Sequence, residues 1–283
     1  MGFDKIASQE NAIKLLKGTL KTKKIPNALL FLGDAHIGKT STAIAYAKAL
    51  NCLNSKNKDS CDNCLSCKKI EQGLHPDVKI IAPEKDLITV NIIREVEEFV
   101  ALTPLEGKYK IAIIKEAHKM NNAAANAFLK TVEEPPFSTT IILICEDIHS
   151  LPEPLISRCF KVYFKPLSID AIKKIIPDMQ HKDILLKIIM GKPGLFISRD
   201  ILKDIQWFAD TLKNIKEKNK KSVWKDNEEI KWWIDFLCIF LRDSLVKLIY
   251  KASSDYCPIL PLDFKLKKNI SEEEIFNLYE ELQ

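Results

Sequence analysis

Two short stretches of this chain carry residues whose types and spacing can do chemistry. The first is Gly33-Asp34-Ala35-His36-Ile37-Gly38-Lys39-Thr40, a complete G-x4-G-K-T, with Ser41 behind it. In such a loop the glycines let the backbone curl until its N–H groups face phosphate oxygens. The lysine reaches the β- and γ-phosphates, and the hydroxyl joins a Mg2+ shell. Gly33, Gly38, Lys39, Thr40 and Ser41 are therefore the candidate nucleotide-binding residues, with ATP or ADP as the expected ligand. The second stretch is Cys52, Cys61, Cys64 and Cys67, a C-x8-C-x2-C-x2-C pattern. Pairs two residues apart can direct both sulfurs at one ion, and four thiolates complete a tetrahedral Zn2+ site with no open position. That is a structural site, and the polar, turn-prone residues between the cysteines have little core of their own without a metal staple. Cys145, Cys159, Cys238 and Cys257 stand singly among apolar neighbours and read as small core residues.

Both motifs need a frame to hold them. Ala28 to Leu32 (ALLFL) is a short apolar run bounded by Pro26 and Gly33, suited to a buried parallel strand that feeds the glycine loop. STAIAYAKAL then supplies the helix whose N-terminal dipole faces the phosphates. Further strands are predicted at 78–82, 110–114, 139–145 and 161–164. Between them, Val90 to Ala101 has apolar residues at helical spacing, and the alanine-rich Asn121 to Val132 stops before Pro135-Pro136. Strands alternating with helices imply a doubly wound parallel α/β sheet. After Pro166 the pattern is helical, with a Gly191-Lys192-Pro193-Gly194 break, a lysine-rich run at 214–225 and an apolar helix at 232–250.

The 283 residues are 46% hydrophobic, enough for two or three packed domains and too apolar for disorder. No stretch approaches the roughly 20 apolar residues of a membrane span, and MGFDKIASQE lacks an export layout, so no membrane partner and a cytoplasmic location are expected. A net charge of +5, from 43 basic and 38 acidic residues, does not call for a dedicated basic groove.

At KIAIIKEAHKM the third strand ends in Lys115-Glu116. A hydrolysing P-loop protein usually places an Asp-Glu pair there, one carboxylate for the Mg2+ shell and one for the attacking water. An ammonium at Lys115 repels the cation, and Glu116 remains a base without its metal. The surrounding residues closely resemble the bacterial clamp-loader family, the gamma and delta-prime subunits of the replicative polymerase. The resemblance rests on the P-loop, the cysteine spacing, Ala124 through Pro136 (AANAFLKTVEEPP) and Leu155-Ile156-Ser157-Arg158-Cys159, and covers about residues 5–200. Within the family, His75-Pro76-Asp77, Gly191-Lys192-Pro193-Gly194 in place of a nucleotide-sensing arginine, and Cys145-Glu146 in place of sensor threonines look like the delta-prime branch.

The resemblance implies an AAA+-like sheet domain at 1–165 with a zinc module at 50–70, a helical lid domain at 166–200 and a helical collar at 201–283. It implies that Arg158 reaches the ATP site of a neighbouring subunit. It also implies partners: gamma/tau-type ATPases, the delta subunit, and, through the assembly, the sliding clamp and primed DNA. Two other readings stand beside the non-hydrolysing assembly subunit. The intact P-loop suits an active gamma-type ATPase, and the cysteine cluster suits a zinc-dependent DNA-binding module with a relic P-loop.

Overall fold

The computed structural model describes residues 1–55, 57–176, 186, 188–189, 191–198, 200–216, 227–249 and 277. The chain divides into two compact units, one of Met1–Ile175 with Gly191–Gly194, the other of Ile176–Met190 with Leu195–Gln283.

In the first unit five strands, β1 (Ala28–Leu32), β2 (Val78–Ile81), β3 (Lys110–Ile114), β4 (Thr139–Cys145) and β5 (Phe160–Tyr163), form one sheet in the order β2-β3-β4-β1-β5. Every pairing is parallel, as buried strands without polar alternation require. The fifth strand starts one residue earlier than predicted, and Phe164 closes its ladder by donating to the Leu32 carbonyl at 2.8 Å. One sheet face presents Leu30, Leu32, Ala112, Ile114, Ile141 and Leu143 to α4 (Val90–Ala101), α5 (Asn122–Glu133) and α6 (Glu153–Ser157). On this side α4 buries Ile92, Ile93, Val96 and Val100, and α5 buries Ala124, Ala125, Phe128 and Val132. The Asn121 side chain caps α5 by accepting from the Ala124 N–H at 2.8 Å. Elsewhere α1 (Glu10–Thr22) lies against β5, and α2 (Lys39–Asn51) lies against β4 and α3 (Leu65–Glu71). β1 sits between β4 and β5, where the strand order reverses, so its C-terminal end opens at the switch point where such sheets bind ligands.

At the opposite end of the strands Asp77 fixes the loop between α4 and β3. Its buried carboxylate accepts the N–H groups of Leu105 at 2.8 Å and of Glu106 and Gly107 at 2.7 Å each. Lys110, also buried, approaches it at 3.2 Å and lies 4.6 Å over the Phe99 ring. Burial alone would raise this acid, but the three N–H groups and the ammonium outweigh it and hold it below the usual carboxylate range. The folded-state value is depressed, so the stabilisation is fully present above about pH 4 and is lost as pH falls through the folded value. Asp77→Ala leaves Lys110 buried without its counter-charge, and a loss of about 3–5 kcal/mol is expected in urea unfolding. A loss under about 1 kcal/mol would contradict this account.

In the second unit helices Ile201–Lys216 and Asn227–Ile249 pack through aromatic rings: Phe208 lies 5.4 Å from Trp233 and 5.5 Å from Phe236. The Trp232 indole N–H donates to Asp204 at 3.0 Å. Phe236, Ile239, Leu241 and Leu245 of the predicted apolar helix are buried, and Phe236 packs against Phe208 and Trp232 within this unit. Within the expected lid segment, α7 (Ile169–Ile175) and the short helix Gly194–Ser198 are observed. Residues 217–225 of the lysine run, residues 177–185 and Cys257 lie outside the described residues.

Candidate functional site

The glycine loop leaves the end of β1 and enters α2 with the backbone turns its sequence requires. Gly33 (φ +143°) has no room for a Cβ, which would stand 2.6 Å from the Phe164 carbonyl oxygen. His36 (φ 60°) and Gly38 (φ +98°) complete the curl. Lys39, only 5% exposed, turns its ammonium back to donate to the carbonyls of Gly33 and Asp34. Burial pulls its pKa down, opposed by the nearby carboxylates of Glu146 and Asp34. Thr40 is half-buried and Ser41 exposed at the start of α2. The Thr42 hydroxyl donates to the Gly38 carbonyl at 2.9 Å.

The acidic partners of such a loop are arranged differently. Glu116, at φ 50° just past β3, is held by Lys119 at 2.6 Å, and Lys119 also pairs with Asp86. Lys115 follows Ile114 with its N–H donating to the Ile81 carbonyl at 2.8 Å. At the end of β4, burial pushes the Cys145 thiol up to about 11, and the thiol donates to the Asp147 carbonyl at 3.0 Å. Glu146 follows it, and its carboxylate works against burial by raising the Lys39 pKa.

One participant was not visible as a motif. Gln9, 4% exposed before α1, donates from Nε2 to the carbonyls of Ile37 (3.2 Å) and Lys165 (2.8 Å), and accepts from the Lys165 N–H at 3.3 Å. It fastens the phosphate loop to the segment leaving β5. A glutamine at a helix start carries no local signal of this role.

The four motif cysteines meet beyond α2. Cys52 follows the helix, Cys64 caps α3 and Cys67 lies in its first turn, and the four ligand atoms all lie within 4.8 Å of one another. Thiolates about 2.3 Å from one tetrahedral ion stand about 3.8 Å apart, and the Cys52 and Cys64 sulfurs are 3.9 Å apart. Backbone N–H groups of Cys61 and Cys64 point at the sulfurs of Cys52 and Cys61, both at 3.3 Å. Burial opposes ionisation of Cys64, but the N–H groups of Cys67 and Leu53 outweigh it and bring the thiol down to about 6. Burial pushes Cys52 and Cys67 the other way. This donor set fits a metal ion, which would supply the missing counter-charge. Cys145 and Cys159 are buried core residues, and Cys238 is half-buried.

The cluster is stitched to the N-terminal residues. Asp62, between Cys61 and Cys64, accepts from the Gly2 N–H at 2.9 Å and pairs with Lys5 at 3.1 Å. Asp59 accepts from the Phe3 N–H at 3.1 Å. Lys48, 1% exposed on α2, reaches Asp62 at 3.4 Å and also pairs with Glu71.

Arg158 ends α6. Its guanidinium, 38% exposed, donates to the Pro154 carbonyl at 2.8 Å and pairs with Glu133 at the end of α5. It is brought neither to this chain's own phosphate loop nor to the cysteines.

A parallel five-stranded sheet with a G-x4-G-K-T loop at its switch point defines a P-loop α/β fold. The family model described as DNA polymerase III, delta subunit matches residues 8–168, and the chain belongs to this clamp-loader family. It is 38% identical over 171 residues to DNA polymerase III subunit tau of Bacillus subtilis, covering 60% of this chain and 30% of that protein. It is 34% identical over 207 residues to subunit gamma of Buchnera aphidicola, covering 73% and 54%. It is 36% identical over 165 residues to subunit delta' of Bacillus subtilis, covering 58% and 50%. The chain thus spans about half or less of the length of the curated relatives it matches. Three differently named subunits match at similar identity, so identity does not select among them. Among the described residues no helix is long and apolar enough to cross a membrane.

Proposed function

We propose that this chain acts in the cytoplasm as a delta-prime-type subunit of the bacterial replicative clamp loader. It assists ATP-driven loading of the sliding clamp onto primed DNA beside gamma/tau-type ATPases and the delta subunit. The carrying observation is the end of β3, where Lys115 stands at the expected metal-holding position and Glu116 is engaged by Lys119 at 2.6 Å. Gly33, Gly38, Lys39, Thr40 and Ser41 hold the phosphates of ATP or ADP, but the groups that would hold Mg2+ and activate water are not supplied here. Hydrolysis belongs to neighbouring subunits, one of which receives the Arg158 guanidinium. Cys52, Cys61, Cys64 and Cys67 hold a structural Zn2+ that fixes the 50–70 module. In this reading 1–165 forms the P-loop domain, 166–200 the lid and 201–283 the collar for assembly.

The purified chain, given ATP and Mg2+, is expected to release phosphate no faster than its Lys39→Ala variant. Hydrolysis that depends on Lys39 would make it a gamma-type motor instead. DNA affinity that disappears on zinc chelation would favour a zinc-dependent DNA-binding module.

A further inference from the structure

Beyond α7 the first unit contains a four-residue strap, Gly191–Gly194, that returns to the phosphate loop. Two glycines set its path. Gly191 (φ +86°) turns where a Cβ would stand 2.5 Å from Pro166 Cβ, and its carbonyl accepts the Leu167 N–H at 2.8 Å. At the other end the Gly194 N–H donates to the His36 carbonyl at 2.9 Å. A Cβ on Gly194 would lie 3.0 Å from both Cβ and O of His36, so the strap backbone rests directly on the loop. Between the two anchors Lys192 extends to Asp34 of the same loop, with 3.4 Å between Nζ and Oδ2. Lys192 is 31% exposed and Asp34 52%. The ammonium is close enough to Lys39 to add to the effect of burial in lowering its pKa.

We propose that Lys192 is a further phosphate-binding residue of the nucleotide site, resting on Asp34 until a nucleoside di- or triphosphate enters the loop. This rests on the P-loop reading above. An exposed carboxylate is a weak competitor for an ammonium, whereas a polyphosphate carries more charge and more acceptor oxygens. Lysine's flexible stem lets the charge change partners while the two glycine anchors stay in place. The strap thereby supplies a second cation next to Lys39, offsetting phosphate charge at a site where the expected metal-holding position after β3 carries Lys115.

A fluorescent ADP analogue titrated into the full chain, without Mg2+ and at two salt concentrations, tests this. Lys192→Ala is expected to weaken binding about three- to tenfold, less at high salt, and Lys192→Arg to keep it. Asp34→Asn, which removes the competing charge, is expected to tighten binding about two- to threefold. Lys39→Ala is expected to abolish it. If the parent chain binds and Lys39→Ala does not, yet Lys192→Ala and Asp34→Asn both match the parent, the role of Lys192 is overturned and the P-loop reading stands. If the parent fails to bind, or Lys39→Ala binds as well as the parent, both fall together.

Discussion

In a loader reconstituted with its ATPase partners, Arg158→Ala in this chain is expected to lower DNA-stimulated ATP hydrolysis appreciably, whereas Lys39→Ala leaves it nearly unchanged. The contrast follows from the two roles proposed for one subunit. A planar, always-charged guanidinium offered to a neighbour's site stabilises charge on the transferring phosphoryl group, worth about 10³–10⁵ in rate at that site. The fall in the whole assembly is smaller because the other sites keep their own arginines. In the structure Arg158 projects from the end of a five-residue helix, and Glu133 holds it within its own chain. Delivering it to a neighbour exchanges that partner for a phosphate, so Glu133→Gln is expected to preserve the rate. Lys39 serves only this chain's loop, which hydrolyses nothing on the proposed reading. The opposite ranking, with Lys39 essential and Arg158 dispensable, would show that this chain is itself a motor.

Metal analysis of the reduced, purified chain is expected to give about one zinc per molecule, and Cys64→Ser to bring it well below that. Loss of a residue merely supporting a ligand costs about 10–100-fold in metal affinity, and Cys64 is proposed as a ligand itself. The sheet has its own core, including Phe128, Leu143 and Ile114, so the variant should retain its global fold. Faster hydrogen exchange is expected across residues 50–70 and also at Phe3. The Phe3 N–H is held by Asp59, and Gly2 and Lys5 are held by Asp62 between two cysteines, so a loosened module releases them. A metal-free parent, or disulfides among these four cysteines under reducing conditions, would sink the assignment.

The residue pattern alone carried the parallel sheet, because strands buried on both faces leave uninterrupted apolar runs such as ALLFL and TTIILIC. It carried the phosphate loop and the cysteine set for a related reason. Each is a local motif whose members must share a turn or a short knuckle, so their spacing survives in the linear order. Only the ends of β2 and β5 shifted by a residue, since ladders close on hydrogen bonds to other strands, as Phe164 does on Leu32. What only the tertiary structure decided are pairings between distant segments. Gln9 is joined to Lys165 across 156 residues. Asp77 reaches the loop at 105–107, and Lys192 reaches Asp34. Arg158 turned to Glu133, a charged neighbour on another helix that the fold brought near. Sequence spacing records periodicity along one chain segment, whereas a buried amide or a charge takes its partner from whatever the packed elements place within hydrogen-bond reach.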